Sequence, residues 1–400
     1  MQILKAAAGL ALLAGLVSAH PGHDVSKEAA ERREFLQTAK RTSLAHCAEK
    51  LKARGIEARN HARREAAIQK ARAKRGLNGV LGRRAIGDVL AKDHNKTALG
   101  YTPNTDPATL FAGYQSCLLT PEVTEGPYYV AGEYVRRNLV EQQPGVPLLL
   151  DYQVIDVNTC EPVPNVFLEM WHCNSTGVYG GVVAQGNGNS NDQSNLNATW
   201  LRGIQPTDED GVAQFESIFP GHYTGRTTHI HVMVHTNATL LSNGTLGAHV
   251  QGSHVGQTFF DQALINAVEA LAPYNTNRQP LTTNARDGIM AQEAATNGVD
   301  PVMEYTLLGD KLEDGLFAWI AFGIDKNYVR TVTPAVYLTE NGGKPNENGG
   351  LPGVPGGPGF PGGPFPTGGF PGGPFPTGSP FPFPTGGFPW GPFRRRNNRN

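Results

Sequence analysis

From residue 100 to 335 the chain is cut into short β-rich runs by clusters of Gly, Pro, Asn and Asp, and this rhythm narrows the fold more than any other feature. Leu148–Val157 and Val166–Trp171 flank Asn158-Thr159-Cys160-Glu161-Pro162, a turn cluster, and read as a hairpin. Val212–Phe219 follows the turn signal Asp208-Glu209-Asp210-Gly211, His229–His235 reads as a strand, and Leu316–Ile324 is a further apolar run. One helix is expected at Gln262–Leu271, ahead of Pro273. Short strands joined by turns predict an all-β antiparallel sandwich over residues 100–340.

The flanks differ in composition. Leu4–Val17 is apolar, follows the pattern of a secretory signal with Lys5 before it and Val17-Ser18-Ala19 after it, and predicts removal of residues 1–19. Its core of twelve residues, Ala6–Val17, would span about 18 Å as a helix, short of the ~30 Å of a bilayer core. Sequons at Asn95, Asn174, Asn197, Asn237 and Asn243 agree with export and predict a secreted, extracellular glycoprotein. Residues 20–99 form a basic helical leader. Lys27–Arg84 holds seventeen Lys+Arg against six Asp+Glu, in a mix of strong helix formers. Nucleic acid is the tempting partner for that charge, but a solvated helical face or a removable leader suits an exported chain better. Lys40-Arg41, Lys74-Arg75 and Arg83-Arg84 are dibasic pairs at which a secretory protease would cut. In residues 341–400 the stretch 342–393 carries eighteen Gly and fifteen Pro, too few packing side chains to offset the entropy of ordering, so a disordered tail is expected, with cell-wall contact as one role.

The chemistry concentrates in four side chains. His229-Ile230-His231 on a strand sends both imidazoles to one face. Tyr223 lies six residues before His229 on a Gly-punctuated loop, Tyr179 leaves the earlier strand region in Trp171-His172-Cys173-Asn174-Ser175-Thr176-Gly177-Val178-Tyr179, and Arg226 is a fixed cation between Tyr223 and His229. Two imidazoles alone would suit Zn or Cu. Phenols titrate near 10, so two phenolates need a hard, highly charged ion, which points to Fe(III). The four side chains are therefore expected to converge on one point, with Arg226 facing the same cavity.

These strings, with Thr124-Glu125-Gly126-Pro127-Tyr128-Tyr129, Arg202-Gly203, Thr207–Gly211 and Pro220-Gly221-His222-Tyr223, resemble the intradiol ring-cleaving dioxygenases, and most of all their secreted fungal members. The resemblance covers about residues 115–330. It implies Fe(3+) held by Tyr179, Tyr223, His229 and His231, with Arg226 stabilising the ketonised substrate and Gln257 beside it. It also implies that a catechol displaces Tyr223, that O2 attacks the ring, and that cleavage between the hydroxyl-bearing carbons gives a muconate-type diacid. His172, His222, His235 and His254 read as neighbours rather than ligands. The Gly/Asn-rich stretch between Tyr179 and Trp200 has no familiar substrate-pocket signature, and the leader is unlike the family's helical dimerisation segment.

Four Cys allow three pairings. A hairpin would carry Cys160 at its tip and Cys173 some 25 Å down the return strand, which excludes that pair. The resemblance brings Cys117 near the site, as Cys173 is, so Cys117–Cys173 and Cys47–Cys160 are the expected bridges. Two functions remain in view: an Fe(III) intradiol dioxygenase of extracellular catechols, and a non-catalytic secreted sandwich that binds aromatics at the cell wall.

Overall fold

The computed structural model describes residues 44–77 and 126–347, apart from 185, 189–190 and 295–299. These all fall in one compact unit, Met1–Pro358; a second unit, Gly359–Asn400, lies outside the described residues, as do the expected signal segment, Asn95, Cys117, the dibasic pairs at 40–41 and 83–84, and the Gly/Pro/Phe tail from residue 348 on. The described α-helices start with α1 (Ala48–Ala53) and α2 (Ile56–Lys74). Strands follow: β1 (Val130–Ala131), β2 (Pro147–Asp156), β3 (Glu161–Pro162), β4 (Phe167–Trp171), β5 (Arg202–Pro206), β6 (Val212–Ile218), β7 (His229–His235), β8 (Gln251–Gly252) and β9 (His254–Phe259). After α3 (Gln262–Glu269) and α4 (Gly288–Ala294) come β10 (Glu304–Leu307), β11 (Leu316–Ile324), β12 (Arg330–Thr331), β13 (Val336–Thr339) and β14 (Gly342–Pro345). No described helix is long and apolar enough to cross a membrane.

Two sheets face each other. The first runs β10-β11-β2-β3 with β6 also paired to β2, and the second runs β5-β4-β7-β9. Strand alternation fills the space between them: Leu148, Leu150, Tyr152 and Val154 of β2 meet Leu168 and Met170 of β4 and Ile230, Val232 and Val234 of β7 in one buried cluster. The sandwich is mainly antiparallel, but β11 and β2 run parallel over nine residue pairs. The expected hairpin of Leu148–Val157 with Val166–Trp171 is not formed. β2 turns back only into β3, and β4 belongs to the opposite sheet. Asn165, with φ of 60°, lies in the turn where the chain leaves one sheet for the other. Asp261 caps α3 by accepting from Leu264 N at 2.7 Å, and Leu264, Ile265 and Val268 pack inward.

The described part of the basic helical segment, residues 44–77, covers the outer face of the first sheet, so the face that packs there is not the solvated one expected. Along β2 the outward residues Leu149, Asp151 and Gln153 repeat every two positions. Along α2 the facing residues Ile68, Arg64 and Asn60 repeat every four. Leu149 joins Ile68 and Ala71 in one apolar cluster; Asp151 receives Arg63 and Arg64; Gln153 and Asn60 exchange side-chain hydrogen bonds of 2.6 and 3.0 Å. Leu44, Leu51 and Ile56 enter the main core. Cys47 and Cys160 form a disulfide, Cα–Cα 5.2 Å, as expected; Cys173 is a buried thiol without a bridge among the described residues, and its expected partner Cys117 lies outside them. The bridge closes a separation of 113 residues. Changing both cysteines to Ser is expected to lower the stability measured by urea denaturation by about 2–4 kcal/mol; a change within the error of the fit would mean that the helical packing alone holds the segment.

Candidate metal centre

In β7 the apolar residues Ile230, Val232 and Val234 take the inner face, so His229 and His231 are forced to the outer face of the second sheet. That face is not open to solvent. A second buried cluster lies over it, including Tyr128, Tyr129, Trp171, Tyr179, Tyr223, Met233 and Val255. Register builds its floor: Arg202 pairs with Trp171, Trp171 with His231, and His231 with Gln257, a row running straight across all four strands. Trp171 stacks on His231 with ring centroids 5.0 Å apart and planes 5° from parallel, which sets the orientation of the imidazole.

Both tyrosines come from loops that meet over this row. The loop of Tyr223 follows β6, and Gly221 lets it touch the loop of Tyr179: a Cβ there would sit 2.5 Å from Ser175 O, while Gly221 N donates to Asn174 O at 3.2 Å. Tyr179 is held from the far side by two asparagines. Asn187 accepts from Tyr179 N at 2.7 Å and donates to Tyr179 O at 2.9 Å, and Asn195 donates to the same carbonyl at 2.8 Å. The Gly/Asn-rich stretch that carried no recognisable signature is thus the support of Tyr179.

The structure brings Tyr179, Tyr223, His229 and His231 together, all at most 2% exposed. Tyr223 Oη lies 3.4 Å from His229 Nε2, His229 Nε2 lies 3.1 Å from His231 Nε2, and the Tyr179 ring centroid is 5.5 Å from Tyr223 and 6.1 Å from His231. His229 Nδ1 is 2.6 Å from Thr227 O, and a carbonyl only accepts, so Nδ1 carries the hydrogen and Nε2 turns its lone pair to the cluster. Arg226 is fully buried; it donates to Asp287 Oδ2 at 2.8 Å and to Gln257 Oε1 at 2.5 Å, with Nη1 3.5 Å from His229 Nε2.

This donor set fits a cation. Burial pushes the Tyr179 phenol far above its ordinary range, the neighbouring Tyr223 adds to that, and burial raises Tyr223 as well. Burial and then the charge of His229 hold His231 well below the usual imidazole range. Tyr179 Oη has no hydrogen-bond partner among the described residues. The buried Tyr223 oxygen and the two Nε2 nitrogens, 3.4 and 3.1 Å from one to the next, would be stabilised by a shared positive charge. The other metal-like grouping of His, Cys and acidic residues among the described residues, His46 with Cys47 and Cys160, is the disulfide itself and offers no thiolate.

The remaining histidines serve elsewhere. His172 bonds Cys173 O and Ser217 Oγ, each at 2.7 Å; His222 pairs with Glu269 at 2.7 Å; His235 pairs with Glu169 at 2.7 Å; His254 is buried against Phe322. Sequence reasoning missed three contributors: Asp287 behind Arg226, Trp171 beneath His231, and Tyr128, whose ring lies 4.9 Å from Tyr179 and 6.0 Å from Tyr223. Trp171 and Tyr128 stand inside quoted motifs, but Asp287 carries no local signal.

Residues 124–306 match a protein-family model described as Dioxygenase. Catechol 1,2-dioxygenase of Acinetobacter baylyi is 32% identical over 109 residues, 26% of this chain and 32% of that protein, so the chain spans about a third of that relative's length. An intradiol ring-cleavage dioxygenase from Tetranychus urticae is 30% identical and is matched over 53% of this chain and 96% of its own, with a TM-score of 0.42. The dioxygenase domain of a dioxygenase carbohydrate-binding protein fusion from Streptomyces sp. SirexAA-E is 25% identical over 52% of this chain and 98% of its own, with a TM-score of 0.32. On the family-model match over residues 124–306, together with the likeness to a catechol 1,2-dioxygenase, this protein belongs to the intradiol ring-cleavage dioxygenases, a family of oxygenase enzymes.

Proposed function

We propose that the chain is an Fe(III)-dependent intradiol dioxygenase that opens catechol-type rings with O2 to muconate-type diacids. The observation that carries this reading is the convergence of two phenols and two imidazoles in one buried cluster beside a buried guanidinium. Tyr179, Tyr223, His229 and His231 would hold the ion. When bound, ferric iron supplies the Lewis acidity that stabilises phenolate and catecholate oxygens and makes the ring reactive toward O2.

The chain's own residues do the rest. Tyr223 Oη, on the Gly-bearing loop, would take the proton of a substrate oxygen as a base. The Arg226 guanidinium, held by Gln257 Oε1 and Asp287, supplies positive charge where the ketonised ring turns carbanion-like. The Nδ1–H of His229 bonded to Thr227 O keeps its Nε2 aimed inward. Burial of the whole cluster excludes water, which strengthens each of these interactions.

We place the enzyme outside the cell, acting on lignin- or plant-derived catechols. The Cys47–Cys160 disulfide supports an oxidising compartment, and the sequons at Asn197, Asn237 and Asn243 present exposed asparagines. The test is purification from an oxidising host, followed by iron analysis, a visible spectrum and oxygen uptake with catechol, hydroxyquinol, protocatechuate and caffeate. A purple-red protein with one iron per chain and a muconate-type product is expected. A colourless protein, or a ring opened beside rather than between the hydroxyls, sinks the reading.

A further inference from the structure

The geometry points to Asp287 as the residue that positions Arg226 for turnover, a role resting on the function proposed for Arg226. Asp287 is 1% exposed, and both its oxygens are committed. Oδ2 accepts from Arg226 Nε at 2.8 Å and from Thr227 N at 2.8 Å. Oδ1 accepts from Ile289 N at 3.0 Å, from Met290 N at 2.8 Å and, more distantly, from Arg226 Nη2 at 3.4 Å. The same carboxylate therefore caps the start of α4, fixes the backbone directly after Arg226, and clasps one edge of the guanidinium.

The consequence is directional. A guanidinium has a planar fork of donors, and its edges are not equivalent. Asp287 occupies the Nε edge and Gln257 Oε1 accepts from Nη2, so Nη1 is the corner turned toward His229 Nε2, at 3.5 Å. The whole arrangement is strapped down: Thr227 Oγ1 donates to Asn284 Oδ1 at 2.6 Å, and Asn284 Nδ2 donates to Phe260 O at 2.8 Å. Losing this carboxylate takes from the buried guanidinium the counter-charge that holds its Nε edge, and lets it turn. The bonds of the Asp287 carboxylate run to Arg226, Thr227 and the start of α4 rather than to the four clustered donors. It acts through Arg226.

Asp287→Asn keeps the size and one acceptor oxygen but removes the charge. Expected is a parent-like iron content per chain, a parent-like visible band and KM within about threefold, while kcat per bound iron falls about 10²-fold, the loss typical of a displaced reacting geometry. Arg226→Gln should lower kcat at least as far, and the double variant Arg226→Gln with Asp287→Asn should lose no more than Arg226→Gln alone, since the second change acts only through the first. A crystal structure of Asp287→Asn should show the guanidinium rotated off Gln257. If Asp287→Asn does not fold, Asp287→Glu restores the charge one methylene further out and is read in the same way. Parent-like kcat per iron in a folded Asp287 variant, or a double variant whose loss is the product of the two single losses, overturns the assignment. These outcomes are separate from failure of the functional reading, which would show as a parent protein that holds no iron or takes up no oxygen.

Discussion

Tyr179→Phe should lose iron and colour together, whereas Tyr223→Phe should keep iron and lose turnover. The difference follows from how each ring is held. Tyr179 is completely buried, its backbone is bonded to Asn187 and Asn195, and its ring is flanked by Tyr128 at 4.9 Å and the Arg202 guanidinium at 5.8 Å. Such a side chain cannot swing aside, so it suits a permanent ligand, and its loss should cost iron affinity more than the roughly 10–100-fold that follows loss of an outer partner. Tyr223 sits on a loop that turns at Gly225, where φ is 88°, and closes through Arg226 N donating to Tyr223 O at 3.2 Å. That loop can relax when the ring departs. With Tyr179, His229 and His231 intact, Tyr223→Phe should retain iron and still bind catechol, but kcat should drop about 10²–10⁴-fold, because the base that takes the substrate proton is gone. Iron content, visible spectrum and oxygen uptake on both variants decide the matter. Parent-like turnover in either variant would show that the roles are misassigned.

The second large effect concerns stability rather than chemistry. Asp151 is wholly buried, with Arg63 at 3.0 Å, Arg64 at 3.1 Å and Gln214 Nε2 at 2.8 Å. Asp151→Asn leaves two arginines facing the sheet without their carboxylate and should destabilise the protein by about 3–5 kcal/mol, read as a lower urea midpoint with the disulfide intact. Acid should do the same gradually. Burial alone would raise the Asp151 carboxyl, but Arg64 and Arg63 outweigh it and hold it at about 2, below its ordinary 3.8. A depressed folded value means that the stabilisation is complete above 3.8 and is lost as pH falls from there through 2. The parent should therefore lose about 2 kcal/mol more than Asp151→Asn across that window. Equal acid sensitivity in the two proteins would refute the assignment.

Much of this is legible along the chain because it rests on local periods. The two-residue period of β7 is enough to put His229 and His231 on one face, and Pro273 after an apolar helical run marks the end of α3 within two residues of the Leu271 expected. The approach of Tyr223 to His229 and the Cys47–Cys160 bridge also agree with expectation. What strand patterns do not encode is the sheet to which a strand belongs. Leu148–Val157 and Val166–Trp171 alternate in the same way whether they pair or face each other across a core, and the hairpin reading failed on that point.

The rest depends on contacts between residues far apart in sequence, whose pairing energy exists only once the sheets have closed. Composition showed a helix rich in Arg and Lys; only packing decided that Arg64 meets Asp151, 87 residues away, and that the helix covers the sheet. Register alone lined up Arg202, Trp171, His231 and Gln257 across four strands. Asp287 reaches Arg226 over 61 residues from a stretch with no motif of its own. Residue type and short-range spacing thus marked the four side chains that the fold brings together. The tertiary structure decided which neighbours orient them, because orientation is set by buried hydrogen bonds and ring stacking between segments that meet only in the folded state.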